Sequence, residues 1–112
     1  MPLQKWSERI WILQLSDEPL LSEDLLGAAA ECLKQPHMPD VILDMSGVTH
    51  FNSSNLSQLL RLRKQAIDRD ARLRMAAVPD GLWAVFLVTG LDKIFEFTRD
   101  VPNALAELQI GA

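Results

Sequence analysis

Cysteine is nearly absent: Cys32 stands alone, so no internal disulfide can close, and a reducing compartment suits the chain best. Long apolar runs are missing too. The start, Met1-Pro2-Leu3-Gln4-Lys5-Trp6, has no continuous apolar stretch of secretory-signal length. Nothing later reaches the roughly 20 residues that a membrane-spanning helix needs. Basic excess is also lacking, since 11 Lys and Arg against 15 Asp and Glu leave a formal net charge of −4. A domain built to hold a nucleic-acid backbone carries the opposite sign. The expectation is a cytoplasmic chain with no membrane contact and no direct nucleic-acid contact. Without a secretion signal, the two Asn-x-Ser triplets at Asn52 and Asn55 mean nothing as glycosylation sites.

The usual catalytic signatures are equally scarce. There is no glycine-rich P-loop and no G-x-S-x-G elbow, and no serine–histidine–acid set can be assembled. His37 and His50 lie far apart, with no companion at metal-ligand spacing. From the residues, then, no catalytic residue, no metal site and no cofactor is expected. Asp17, Glu18 and Asp44 follow strand patterns and raise a receiver-like phospho-aspartate domain, but the chain is short for that fold.

What the sequence does contain is alternation. Its 112 residues, 48% apolar and 23% charged, suit one compact domain spanning residues 1–112. Ile10–Leu15 reads as a strand, with a shorter partner near Leu3 to Trp6. Apolar residues at Leu21, Leu25, Ala28, Ala29, Cys32 and Leu33 share a helical stripe, with Ser22 as the expected N-cap. Val41–Met45 is a near-continuous apolar run, as a strand covered on both faces would be, and a turn is expected at Ser46-Gly47. A second helix is expected from Ser53 to Asp68, with Leu56, Leu59, Leu60, Ala66 and Ile67 inward. Arg72–Ala76 reads as a strand near an edge. Pro79 and Asp80 open a third helix that Gly90 ends, Phe95–Phe97 forms a last short strand, and Asp100 caps a final helix. This order implies an α/β fold, a mainly parallel sheet of four to five strands with about four helices.

In such folds partner and ligand sites gather at the carboxyl ends of strands, beside helix N-termini. The segment after Val41–Met45 is therefore the place to look. Asn52, Ser53 and Ser54 precede the second helix directly. Capping alone accounts for one such residue. A serine at that position also lies where free backbone N–H groups and the helix dipole favour an added anion. Phosphorylation there adds about −1.5 to −2 charges without requiring the domain to unfold. Of the remaining residues, Cys32, Trp11 and Trp83 read as core, and Trp6 and Phe86 as core or docking aromatics. The basic residues Arg61, Arg63, Lys64, Arg69, Arg72 and Arg74 read as solvating one helix and its negative end.

Over roughly residues 10 to 109 the chain resembles the STAS domain family of bacterial anti-sigma factor antagonists. The resemblance rests on Asp44-Met45-Ser46-Gly47-Val48-Thr49-His50-Phe51-Asn52-Ser53-Ser54-Asn55-Leu56 and on Thr89-Gly90-Leu91-Asp92-Lys93-Ile94-Phe95, in family order and spacing. It implies a non-enzymatic switch protein that binds an anti-sigma factor acting also as a serine kinase. Ser53 would be the phosphoacceptor, restored by a serine phosphatase, with Asp44, Asn52, Ser54, Asn55 and Leu56 forming the partner-binding face. Asn52 stands where the family has aspartate, and Asn55 where it has glycine. The family's acidic loop reads Ser16-Asp17-Glu18-Pro19-Leu20 here. The alternative is a STAS scaffold or ligand-binding adaptor that is never phosphorylated.

Overall fold

The computed structural model describes residues 2–110. Its elements run β1 (Leu3–Lys5), β2 (Ile10–Ser16), α1 (Leu20–Leu33), β3 (Asp40–Gly47), α2 (Ser53–Asp68), β4 (Leu73–Ala76), α3 (Asp80–Thr89), a 3-10 turn (Leu91–Lys93), β5 (Phe97–Thr98) and α4 (Val101–Ile110). The strands lie in chain order across one sheet. β1 runs antiparallel to β2, and the later pairings are all parallel. Because β2 to β5 advance in one direction, right-handed crossovers deliver α1, α2 and α3 to the same face.

That face holds the larger core. Leu13, Leu15, Leu43, Met45 and Met75 of the strands meet Leu21, Leu25 and Ala28 of α1, Leu59, Leu62 and Ala66 of α2, and Leu82 and Phe86 of α3. The alternate residues Ile10, Ile12, Ile42 and Ala76 turn the other way, onto Ala104 and Leu108 of α4. β3 is thus covered on both faces, and its apolar run follows from that. Cys32 is core, and burial pushes its thiol up to about 11.

Several local expectations shift. Phe86 is wholly buried among Phe51, Trp83, Phe95 and Phe97, at ring separations of 5.3 to 6.5 Å, so it is no docking aromatic. Trp6 is the exposed one, at 42%. On α2 the buried stripe is Asn55, Leu59, Leu62 and Ala66, while Leu60 and Ile67 face solvent. Both lie one residue, about 100°, beyond the stripe, outside the arc that touches the sheet. Leu33 is likewise exposed, at the end of α1. Phe95 precedes the last strand because its amide is committed to Leu91 O of the 3-10 turn at 3.2 Å, and its ring fills the core.

Ser46-Gly47 extends β3 instead of turning. Gly47 pairs with Ser16 past a register shift in which β3 carries one extra residue, and a Cβ at residue 47 would sit 2.8 Å from the Leu15 carbonyl oxygen. Only glycine lets the two strands close there. The basic residues act as staples more than as a solvated face. Arg69 donates to the carbonyls of Cys32 and Gln35 at the C-terminal end of α1 (3.2 and 2.6 Å), and Arg72 and Arg74 pair with Asp40 and Glu107.

Candidate functional site

At the carboxyl edge of the sheet the β2–α1 and β3–α2 connections lie against each other, and both are rich in oxygen acceptors. Asn52 takes extended backbone angles (φ −102°, ψ 175°) as the N-cap of α2. Its Oδ1 accepts the Asn55 amide at 2.8 Å, and Asn55 Oδ1 accepts the Asn52 amide at 3.0 Å. This is a reciprocal capping box with asparagine at both ends, and it satisfies two backbone donors that the helix cannot. Asn55 then spends its remaining donors inward: Nδ2 donates to Glu18 Oε2 and Ser22 Oγ, each at 3.2 Å.

Glu18 is the hub of that arrangement. Its carboxylate accepts the Ser22 amide at 2.7 Å and the Ser22 hydroxyl as well, tying the first turn of α1 to the first turn of α2. The Ser22 hydroxyl, followed by the Ser22 amide and then Asn55 and Asn52, holds the Glu18 carboxyl below its ordinary value. Ser22 is therefore not the N-cap of α1. Pro19 occupies that position with no side-chain bond, and Ser22 sits in the first turn, serving Glu18.

A second latch lies beside the first. Asp17 accepts the Thr49 amide at 2.7 Å, the Thr49 hydroxyl at 2.6 Å and the His50 amide at 3.2 Å. The Thr49 hydroxyl, then the Thr49 amide, lowers the Asp17 carboxyl below its ordinary value. Two consecutive acids thus fasten two loops that are about thirty residues apart in the chain. Motif reasoning passed over this role. The signal was visible as a pair of carboxylates straight after a strand.

Within this frame Ser53 and Ser54 are exposed, as the first two residues of α2. Neither hydroxyl, and neither of their backbone amides, has a protein partner among the described residues. Leu56 is half-buried beside them. Asn55 is fully buried, which corrects its expected place on the docking face: its side chain builds the helix start from within. Asp44 is half-buried, and its Oδ1 accepts the Ser46 amide at 3.1 Å. By strand alternation it shares the face of Ile42, the one α4 covers, away from the face on which α2 packs. The structure therefore brings Asn52, Ser53, Ser54 and Leu56 together at one corner, with Asn55 beneath them and Asp44 turned to the opposite face.

Among the described residues, no three or more His, Cys, Asp and Glu cluster to hold a metal ion, and no helix is long and apolar enough to cross a membrane. Comparison with known proteins gives one consistent result. A family model described as "Mlab, STAS domain" matches residues 13–99. A Thermotoga maritima protein assigned as an anti-sigma factor antagonist superposes with a TM-score of 0.82 at 16% identity, covering 96% of this chain and 93% of its own. An anti-sigma-factor antagonist (STAS) domain protein from Planctomyces limnophilus gives 0.77 at 18% identity, over 89% and 91%. RsbS from Moorella thermoacetica, carrying a serine-to-glutamate substitution, gives 0.77 at 12% identity, over 97% and 96%.

Proposed function

The chain belongs to the STAS domain family, and from that premise we propose that it is an anti-sigma factor antagonist whose docking corner is the N-terminal end of α2, switched by phosphorylation of Ser53. The observation that carries the reading is the setting of Ser53: an exposed hydroxyl on the first residue of a helix whose cap is closed from below. The partner is an anti-sigma factor that is also a serine kinase. It transfers the γ-phosphoryl group of ATP to Ser53 Oγ, releasing ADP and the hydroxyl proton, and a serine phosphatase hydrolyses the phosphoserine with water, releasing inorganic phosphate and restoring the hydroxyl.

The physics of the switch is local. The free amides of Ser53 and Ser54 and the helix dipole stabilise a phosphate on Ser53, so the domain keeps its fold. The same charge, about −1.5 to −2, repels an acidic partner surface seated on Asn52, Ser53, Ser54 and Leu56. The protein acts as a cytoplasmic binding module and contributes no catalytic residue of its own.

The test is incubation with ATP and the cognate kinase, with phosphate mapped by mass spectrometry. One phosphate on Ser53, absent in Ser53→Ala, is the expected result; equal labelling of Ser53→Ala would sink the reading. Ser53→Asp should weaken partner binding by about tenfold or more, a cost of roughly 1.4 kcal/mol or above. A second reading, an unphosphorylated scaffold or ligand-binding adaptor, draws on Asn52 and Asn55, which satisfy each other and leave no carboxylate within the α2 capping box. It predicts instead that Ser53→Asp leaves affinity unchanged.

A further inference from the structure

Asp24, in α1, is only 6% exposed, yet among the described residues its carboxylate has neither a hydrogen-bond nor an ion-pair partner. No fully enclosed side-chain oxygen or nitrogen lacks a partner among the described residues, so what remains accessible on Asp24 includes its oxygens. They open into a cleft of about 470 Å³ between the end of β2, the start of α1 and the end of β3. Pro2 and Leu20 give it apolar walls, Ser16 and Glu23 polar ones, and Gly47 contributes no side chain. Among the described residues, both ionisable ones lining it are acidic and no basic side chain lines it.

The carboxylate has no protein partner among the described residues, and a cation entering the cleft can supply one. Two carboxylates fall short of a metal-ligand set, whereas apolar walls suit a hydrocarbon stem. We propose that this cleft binds a primary alkylammonium group, with Asp24 as its ion-pair partner, Glu23 strengthening the field at the rim, and Pro2 and Leu20 against the stem. Such a group comes either as a free small amine or as the lysine side chain of a docked protein. The proposal is independent of Ser53.

The experiment titrates the full chain, followed by amide shifts in a nitrogen–proton correlation spectrum. Cadaverine serves as the free amine, N-acetyl-lysine methylamide as the protein lysine, and pentanol as the neutral control. Saturable shifts at Leu15, Ser16, Glu23, Asp24 and Gly47 are expected with an amine and not with the alcohol. Binding should fall about tenfold or more in Asp24→Asn and about twofold to threefold in Glu23→Gln. Tighter binding of cadaverine identifies a small-molecule source, and equal or tighter binding of capped lysine a protein one. If Asp24→Asn does not fold, Leu20→Lys, at a half-exposed rim position, supplies its own ammonium and must abolish binding. The proposal is overturned by the absence of saturable shifts with both amines, or by shifts that persist in Asp24→Asn or Leu20→Lys.

Discussion

Two helices begin side by side at the carboxyl edge of this sheet, and they begin differently. α2 opens with a side-chain cap that bonds in both directions, while α1 opens on Pro19 with none. Glu18, just ahead of α1, serves both: it accepts the Ser22 amide of α1 and the Asn55 side chain of α2. At the start of α2 the inward Asn55 is matched, while Ser53 and Ser54, without a protein partner among the described residues, are exposed to solvent. At α1 the buried group left unmatched among the described residues, Asp24, lines a cleft. A saturated start can display a hydroxyl without loss of order. An unsaturated start has room for a ligand.

Breaking the saturated start should have the largest effect. Asn55→Ala removes the lower half of the capping box and leaves Glu18 short of a donor, so a loss of roughly 2 kcal/mol is expected in urea denaturation. A loss under about 0.5 kcal/mol would mean that Asn55 is not structural. Asn52→Ala, which removes the solvent-side cap and the smallest of the contacts that lower the Glu18 carboxyl, should cost about 1 kcal/mol in the same assay.

Acid probes both latches together. Asp17 and Glu18 have folded-state carboxyls below their ordinary values. Their contribution is therefore present above the unfolded carboxyl pKa near about 4 and is lost as pH falls through the lower folded values. Thermal melts between neutral and strongly acidic pH should show this decline, and Asp17→Asn should flatten it; an unchanged slope would remove Asp17 from the account. The smallest effect belongs to the displayed residues. Ser54→Ala should change stability by no more than about 0.5 kcal/mol, since no protein partner is lost. A larger drop would show that the corner is less open than its geometry states.

Much of the fold was legible because periodicity reports burial. The bounds of α2, the covered strand β3, the left-handed Gly90 after α3 and the Asp100 cap of α4 all follow from local pattern. The candidate site was legible in part. Ser53 and Ser54 stand out as small polar residues at a helix start, and they are exposed. Asn55 looked the same in the sequence but faces inward, because residue 55 lies on the arc shared with Leu59, Leu62 and Ala66. Which arc of a helix meets the sheet is decided by packing against other elements, and neighbouring residues carry no local mark of it.

The sequence by itself determined the order of elements, the α/β class and the serine at the start of the second helix, since each depends on residues close in the chain, and its single cysteine excluded an internal disulfide. Only the tertiary structure decided that Asp17 and Glu18 bridge two loops, that Asn55 lies beneath Ser53, that Asp44 belongs to the opposite face and that Asp24 is buried without a partner among the described residues. Those facts depend on groups brought together from distant parts of the chain, where a contact has no signature in either segment alone.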